Sequence, residues 1–378
     1  MMKKETFKYS KTPYAELHLH LGGAILPRIL WHKFQLDHKS DNDSVTLPIG
    51  PYQSFNEFQA FFDSPKNNLE EYLEMHKLVE PIQTYKRLDY FINRLMRGAF
   101  EFENLSYMEI RHCPYGRTDK NKSQNQRIDQ MREIVLEIDR AMKYYSNVNE
   151  ENYYPIIMKQ IICLHSQYHD DVNEALLSLA KEFFTAGIVC GLDIAGGEQP
   201  YKDNMKQIIR WYREAKDFGL NTTAHIFETE HTPIGMLDLI PYLDRIGHGI
   251  QLPLKYENEM KILNKEKICL EICPTTYFKY NTFTGYEDPR LHRIFKVCDD
   301  RNVDIVIGTD NSGMHGVRLQ SEFENLLIHE VISYDKLDQY RHNAFKHAFG
   351  LSKLQKKMYT KDPMINIDLP NYSLQIKI

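Results

Sequence analysis

Eight short runs rich in apolar and β-branched residues, separated by longer helical patterns, restrict the fold of this chain more than any other feature. The helical patterns carry apolar residues at three- and four-residue steps. This alternation predicts βαβ units with parallel strands, and a count of eight predicts an α/β fold closed as a (β/α)₈ TIM barrel. The predicted strands are Tyr14–Leu21, Ser106–Cys113, Pro155–Leu164, Gly187–Ile194, Asn221–Ile226, Asp244–Gln251, Ile268–Cys273 and Val303–Gly308. The clearest helical patterns cover Leu88–Phe102, Arg127–Tyr145, Asp171–Thr185, Lys202–Asp217 and Leu291–Asp299.

The barrel accounts for the whole length of the chain. Barrels of this type take roughly 200 to 400 residues as one unit, so we expect a single domain over residues 1–378 with its core at about 14–350. An extended helical insertion follows the first strand. Within it, Ser54–Phe62 (SFNEFQAFF) predicts a helix that either buries one face or partly covers the barrel mouth, and the pattern leaves both open. The segment after Gly350 is expected to be peripheral.

Composition argues against several classes of partner. Lys+Arg 47 and Asp+Glu 52 give a net charge of −5 without a long basic run, which favours a small-molecule partner over a nucleic-acid polymer or an anionic membrane. No stretch approaches the ~18 apolar residues of a membrane span. Because Met1–Ser10 lacks an apolar signal region, we expect a cytoplasmic protein. The six cysteines form no CxxC pair and are expected to be reduced and buried, while the oligomeric state leaves no signal.

Polar residues end several of the predicted strands. In this barrel the active site is built from the carboxyl ends of the strands and the loops that follow them, so these side chains should converge. His18 and His20 are two residues apart on the first strand and therefore point to the same face. The remaining polar residues at strand ends are Arg111, Gly196-Gly197-Glu198, His225, His248, Pro274-Thr275-Thr276 and Asp310.

Imidazoles and a carboxylate from different strand ends make a nitrogen and oxygen cluster suited to Zn²⁺ with room for a water. Glu228 lies three residues past His225, where a carboxylic acid can act as a proton shuttle. The fourth strand ends Leu192-Asp193-Ile194-Ala195-Gly196-Gly197-Glu198 and has no lysine to bridge two metals. These features predict one metal ion per chain.

Seven segments in order along the chain resemble the adenosine deaminase family. They are Glu16–Ile25 (ELHLHLGGAI), Tyr107–Pro114 (YMEIRHCP), Gly191–Glu198 (GLDIAGGE), Ala224–Glu228 (AHIFE), Arg245–Gly249 (RIGHG), Leu270–Thr275 (LEICPT) and Gly308–Asn311 (GTDN).

The resemblance implies a role for each matching residue. The zinc ligands would be His18, His20, His225 and Asp310. Glu228 would protonate the purine N1, His248 would orient the attacking hydroxide with help from Asp310, and the backbone at Gly196 would meet the N3 edge. His20 and Asn311 would also face the substrate. The implied reaction is hydrolytic deamination of an adenine-type nucleoside or nucleotide at C6, giving an inosine-type product and ammonia.

Two positions depart from the family pattern, and both would touch substrate. Gly22 stands where the family usually has an aspartate that contacts the ribose 5′-hydroxyl, so a 5′-monophosphate such as AMP or dAMP becomes a candidate. Asn311 stands where a second aspartate would donate to purine N7, and an amide donates that bond without an unusual pKa.

Several alternatives remain open from the sequence. Free adenine, an N6-modified nucleotide or a modified nucleoside would suit the same chemistry, because the lining loops decide among them. A non-catalytic purine-binding member of the family is a further hypothesis, which the complete set of metal and acid–base residues disfavours. A nucleic-acid deaminase is also disfavoured, since its Pro-Cys-x-x-Cys element is absent.

Overall fold

The computed structural model of the chain describes residues 13–38, 47–147 and 156–361. Three predictions fall partly or wholly outside these ranges: the character of Met1–Ser10, the first residue of the third predicted strand, Pro155, and the end of the segment after Gly350. The strands are β1 (Tyr14–His20), β2 (Leu105–His112), β3 (Ile157–His165), β4 (Val189–Ala195), β5 (Asn221–Thr222), β6 (His225–Ile226), β7 (Arg245–His248), β8 (Cys269–Ile272) and β9 (Ile305–Ile307).

Helices follow the strands, as the alternating pattern predicts. They are α1 (Pro27–His38), α2 (Phe55–Asp63), α3 (Leu69–Val79), α4 (Leu88–Glu103), α5 (Gln124–Tyr145), α6 (Asp170–Thr185), α7 (Tyr201–Phe218), α8 (Gln251–Lys255), α9 (Met260–Glu266), α10 (Pro274–Lys279), α11 (Pro289–Asp300), α12 (Ser312–His315), α13 (Leu319–Ile328), α14 (Tyr334–His347) and α15 (Lys353–Lys361). Short 3₁₀ segments cover Tyr85–Arg87, Pro114–Arg117 and Ile234–Tyr242. The five predicted helical patterns correspond to α4, α5, α6, α7 and α11, whose buried residues recur along one face.

All the strand pairs are parallel, and the strands close into a (β/α)₈ barrel. Consecutive strands β1 to β5 are hydrogen-bonded to one another in that order, and so are β6 to β9. The barrel closes where Leu19 bridges Asp310, with the Asp310 amide donating to the His18 carbonyl at 2.8 Å and the His20 amide donating to the Asp310 carbonyl at 2.8 Å.

The fifth predicted strand, Asn221–Ile226, is divided into β5 and β6. Its first half pairs with β4 and its second half with β7. Between them the Thr223 amide donates to the Leu192 carbonyl at 2.9 Å, and the Ala224 carbonyl accepts from the Gly247 amide at 2.8 Å. The chain thus changes its hydrogen-bonded partner midway, and the two halves together occupy the position of one strand in the barrel.

The insertion after β1 contains α1 to α4. Ser54 caps α2 by accepting from the Glu57 amide, and Phe58 and Phe62 of this helix are fully buried, with the Phe58 ring 5.4 Å from the Trp31 ring. The buried-face interpretation of Ser54–Phe62 is therefore the one observed. The helix that borders the barrel mouth is α3, which follows it.

A layer of buried charged residues lies inside the barrel, just below the strand ends. Arg111 donates to Asp193 at 3.0 Å and to Glu271 at 2.8 Å, and Arg245 pairs with Glu271 at 2.5 Å and with Glu109 at 2.7 Å. All five side chains have no exposed surface. Removing one member would leave an uncompensated buried charge, so the layer holds the strands, and the residues above them, in one arrangement.

Two expectations about the chain as a whole can be compared with the described ranges. All six cysteines are free and buried, as expected. Among the described helices, none combines the length and the apolar character that a membrane crossing requires.

Candidate active site

Four side chains predicted at three strand ends meet at the carboxyl end of the barrel. One ligand atom from each of His18, His20, His225 and Asp310 lies within 4.8 Å of all the others. The His20 Nε2 is 3.0 Å from the His225 Nε2, and the Asp310 Oδ1 is 3.3 Å from the His20 Nε2 and 3.6 Å from the His18 Nε2. The spacing brings three imidazole nitrogens and a carboxylate oxygen to a single point.

Buried carboxylates behind the cluster fix the orientation of two of its imidazoles. The His18 Nδ1 is 2.6 Å from Glu271, and the His225 Nδ1 is 3.1 Å from Asp193. Each carboxylate accepts the Nδ1 proton, so the Nε2 lone pair points into the cluster, as in metal-binding histidines. The His18 Nε2 is buried and has no hydrogen-bond partner among the described residues. A donor set of this kind, with an unused inward lone pair, fits a divalent transition metal.

Glu228 and His248 lie beside this cluster. The Glu228 Oε1 is 3.5 Å from the His248 Nε2 and accepts a hydrogen bond from the Tyr280 hydroxyl at 2.9 Å. Burial, reinforced by the charge of Glu198, raises the pKa of Glu228 to about 8. Glu228 is therefore protonated at neutral pH and can donate a proton. The His248 Nδ1 lies 3.2 Å from the Tyr277 hydroxyl.

The backbone that carries these groups adopts an uncommon conformation. Phe227, His248 and Asp310 have positive φ angles of 55°, 63° and 59°. Such angles are uncommon for residues other than glycine. In this chain they also occur at helix ends such as Asn104 and Lys267, but these three lie at or beside the residues of the candidate site. Here they turn the chain at the ends of the strands, so that side chains on either side of each turn face one cavity.

Glu198 holds the loop that carries Glu228. Its buried carboxylate accepts from the Glu228 amide at 3.0 Å and from the Thr229 amide and hydroxyl at 2.8 and 2.5 Å, and it also accepts from the Thr232 hydroxyl. The sequence places Glu198 at a strand end but gives no indication of this role, because its partners lie about thirty residues further along the chain.

A cavity of about 680 Å³, counting space open to solvent, contains the predicted site. His18 is fully buried beneath it. Gly196 has a φ of 105°, and a β-carbon there would lie 2.7 Å from the Ser166 Oγ, so the backbone approaches the cavity closely at this point. The predicted residues that line the cavity are His20, Gly22, Gly196, His225, Glu228, His248, Asp310 and Asn311.

The amide of Asn311 already has one partner. Its Nδ2 donates to the Tyr72 hydroxyl at 2.6 Å, and the Tyr72 hydroxyl is 2.8 Å from the His315 Nε2. Its Oδ1 is buried without a partner among the described residues. One N–H of the amide therefore remains for another acceptor.

Several lining residues were not anticipated from the sequence. Tyr72 and His76 are four residues apart on α3, and this i, i+4 spacing on a helix inserted after a strand was an available signal. Further examples are Glu80 directly after α3, Arg117 in the 3₁₀ segment after β2, and His165, the last residue of β3. Arg117 comes four residues after a strand end, within the zone that a barrel uses for chemistry.

Comparison with known proteins agrees with this geometry. The family model described as adenosine deaminase matches residues 13–361. An adenosine deaminase of Clostridium perfringens is 29% identical over 359 residues, covering 92% of this chain and 96% of the relative. The N6-methyl-AMP deaminase of Bos taurus is 26% identical over 330 residues, covering 85% of each chain.

A solved structure shares the fold at low sequence identity. An amidohydrolase from Burkholderia ambifaria with bound Zn superposes with a TM-score of 0.74 at 16% identity, covering 94% of this chain and 90% of that one. The match to the family model extends over nearly the whole described chain. The chain therefore belongs to the adenosine deaminase family and is a purine deaminase of the hydrolase class.

Proposed function

We propose that this protein is a zinc-dependent deaminase that hydrolyses the 6-amino group of an adenine-type nucleoside or nucleotide. The observation that carries the proposal is the convergence of His18, His20, His225 and Asp310 within 4.8 Å. Beside them lies Glu228, a carboxyl whose pKa burial raises, 3.5 Å from His248. The reaction adds water at C6 and releases ammonia, leaving an inosine-type product.

One Zn²⁺ per chain is the proposed cofactor, held by His18, His20, His225 and Asp310. The unpartnered His18 Nε2 and the two imidazoles oriented by carboxylates support this assignment. Bound there, zinc would supply Lewis-acid activation that makes a water nucleophilic at neutral pH. A second set of candidate ligands, His18, His248 and Cys273, shares His18 with the first, which favours a single ion.

The side chains around the metal site supply the proton transfers. Glu228 donates its proton to the purine N1 as water attacks C6, which makes the ring a better electrophile. His248 orients the attacking water, and Asp310 accepts its proton. Asp310 passes the proton that it took from water to the amino group, which leaves as ammonia. The proton of the C6 hydroxyl returns to Glu228 as the tetrahedral centre collapses to the 6-oxo purine, so both acids regain their starting state.

Three groups position the base in this proposal. The backbone N–H at Gly196 meets N3, and the free N–H of the Asn311 amide meets N7. The imidazole of His20, whose side chain is 15% exposed, borders the same space. These contacts place C6 towards the metal site, because N3 and C6 lie on opposite edges of the purine.

The test is formation of the 6-oxo purine by purified protein from adenine, adenosine, deoxyadenosine, AMP, dAMP and N6-methyl-AMP, with zinc content determined on the same sample. Ammonia is the co-product measured for the first five substrates, and methylamine is the co-product measured for N6-methyl-AMP. We expect about one zinc per chain and deamination of at least one of these 6-aminopurines. Protein that contains zinc but acts on none of them would overturn the proposal and favour a purine-binding role without catalysis.

A further inference from the structure

The end of the cavity beside Gly22 is lined by basic side chains that the chemistry at C6 does not use. They are His76 on α3, Arg117 after β2 and His165 at the end of β3. We propose that this end binds the 5′-phosphate of a purine nucleoside monophosphate, with Arg117 as the principal anchor. The inference rests on the proposed function, because the purine must lie with C6 at the metal site for its 5′ group to reach Gly22.

Arg117 is a buried cation with incomplete hydrogen bonding. Its side chain is 1% exposed. The Nη1 donates to the Cys113 carbonyl at 3.1 Å and the Nη2 to the Gln83 Oε1 at 3.3 Å, while the Nε has no partner among the described residues. An isolated guanidinium is costly to bury, so a dianionic phosphate that accepts its remaining protons would offset that cost.

The nearest carboxyl group offsets the positive charge of Arg117 only weakly. The Glu80 Oε1 lies 3.9 Å from the Arg117 Nη1, which is longer than a hydrogen bond. Burial raises the pKa of Glu80, against the lowering effect of Arg117 and Lys120. Because no hydrogen bond joins the two side chains, the guanidinium protons of Arg117 stay available to a ligand.

Two histidines complete the basic end as neutral imidazoles, because burial lowers the pKa of each to about 4. The His165 Nδ1 accepts a hydrogen bond from the Gln167 amide at 3.2 Å, so its proton is on Nε2, which can donate. The His165 ring stacks on Tyr168 with centroids 4.3 Å apart, which holds the imidazole in place. The His76 ring lies 5.8 Å from that of the candidate zinc ligand His20, so the basic end and the metal site share one continuous cavity.

Gly22 leaves the space for the phosphate. A β-carbon built at Gly22 would lie 3.1 Å from the His76 Nδ1 and 3.6 Å from the Arg117 Nη2. A carboxylate at this position would therefore lie beside the Arg117 guanidinium, whose charge it would neutralise, and beside the uncharged imidazole of His76, whose pKa burial lowers to about 4. With glycine there, the same groups face the cavity, and no negative charge from this position repels a phosphate.

The sharpest test is to restore a carboxylate. Gly22→Asp in the zinc-loaded enzyme should lower kcat/KM for AMP relative to adenosine by about 100-fold, because it opposes the phosphate and occupies its partners. The Gly22 backbone does not have the positive φ that would exclude a side chain. Gly22→Asn is the matched control: it adds a side chain of the same size without the charge. It should lower the ratio by less than Gly22→Asp does, because only the contact with His76, 3.1 Å from the new β-carbon, is then disturbed.

Substitutions of the basic residues test the anchor itself. Arg117→Met should lower the AMP-to-adenosine ratio by about 100-fold and Arg117→Lys by less, while His76→Gln, which keeps a donor, should lower it by about 10-fold. The ratio is informative because misfolding would reduce both activities together. Arg132→Met, at an exposed arginine paired with Glu182, is the control and should change neither efficiency.

A binding measurement separates failure of the subsite from failure of the proposed function. Calorimetry should show that IMP binds the wild-type protein about 100-fold more tightly than inosine, and that Gly22→Asp removes the difference. Adenosine deamination as efficient as AMP deamination, with IMP and inosine bound equally, would overturn the subsite and leave the deaminase intact. Tight IMP binding without deamination of any substrate would overturn the deaminase and keep the subsite.

A competing explanation assigns recognition of the 5′ group of the substrate to Glu80, and the same assays decide between the two. If its carboxylate instead accepts the 5′-hydroxyl of a nucleoside, Glu80→Gln should lower the efficiency with adenosine and spare that with AMP. If Arg117 binds phosphate, Glu80→Gln should preserve or raise the preference for AMP, because it removes a competing acid 3.9 Å from the guanidinium. The first result would overturn the proposal.

Discussion

The two ends of the cavity are built from different parts of the fold. The metal end uses side chains on the barrel strands or directly after them, namely His18, His20, His225, Asp310, Glu228 and His248. Buried carboxylates on neighbouring strands hold two of its imidazoles. The basic end uses mainly α3, the turn after β1 and the 3₁₀ segment Pro114–Arg117, and takes only His165 from a strand, at the end of β3. The difference indicates that the barrel determines the reaction, while the segments inserted between strand and helix determine which purine enters.

The two ends of the cavity also differ in the interactions that hold their residues in place. Strands of the barrel are hydrogen-bonded on both edges and rest on the buried ionic layer of Arg111, Arg245 and their carboxylates. The basic end depends on contacts such as the hydrogen bond from the Gln83 amide to the Gly22 carbonyl at 2.9 Å. Substitutions at the metal end should therefore reduce turnover of every substrate, and substitutions at the basic end should change the ratio between substrates.

The largest effect is expected at the metal end. His225→Ala removes a proposed zinc ligand and should reduce activity on every 6-aminopurine by at least about 10³-fold, with zinc content falling in parallel. Activity and metal analysis of the same preparations check this. The control is His231→Ala, at an exposed histidine outside the cavity lining. A variant that kept both its zinc and its activity would show that His225 is not a ligand.

Glu228→Gln should produce the next largest loss. Its amide cannot donate a proton to N1, so kcat should fall by about 10²- to 10⁴-fold for nucleoside and nucleotide alike. In the wild-type enzyme the acid is competent while Glu228 is protonated, so activity should be present below its pKa of about 8 and decline as the pH rises through it. The residual activity of Glu228→Gln should lack that decline. A decline that persists unchanged in the variant would assign the titration to another group.

The difference between the metal end and the basic end also explains how much of the structure could be predicted from the sequence. The barrel was predictable because each strand is a short apolar run between helical patterns of regular period. The metal end followed from it, since His18, His20, His225 and Asp310 lie at predicted strand ends, where the fold places chemistry. Helix boundaries such as those of α6, Asp170–Thr185, differ from the predicted Asp171–Thr185 by one residue at one end.

The basic end was less predictable for a physical reason. His76 reaches the cavity because α3 borders the barrel mouth, and Arg117 reaches it from the separate 3₁₀ segment that follows β2. No local periodicity encodes the direction in which either segment packs. The pattern in Ser54–Phe62 indicated a buried face, which α2 has, but could not show that the following helix borders the cavity. The hydrogen bonds of Glu198 were hidden for a similar reason, because they connect segments far apart in sequence.

Glu198→Gln sharpens the comparison within the metal end, because Glu198 positions Glu228 without touching substrate. We expect kcat to fall by about 10-fold with all substrates, since the loop loses acceptors for the Glu228 and Thr229 amides. The pH profile provides the specific readout. The charge of Glu198 raises the pKa of Glu228, so its removal should move the alkaline decline to lower pH. A uniform loss of activity with an unshifted profile would indicate structural damage alone.

The smallest effect is expected for Asn311→Asp, which lies where the two ends meet. Asn311 donates to Tyr72 on α3, at 2.6 Å, and is adjacent to the proposed ligand Asp310. An aspartate there can donate to purine N7 only when protonated, so kcat/KM should fall by about 5-fold, and more at high pH than at low pH. A 7-deazapurine substrate lacks the acceptor, and its turnover should be equal in variant and wild type. Equal losses with both substrates would mean that Asn311 acts through Tyr72 and the position of α3, which would couple the two ends of the cavity.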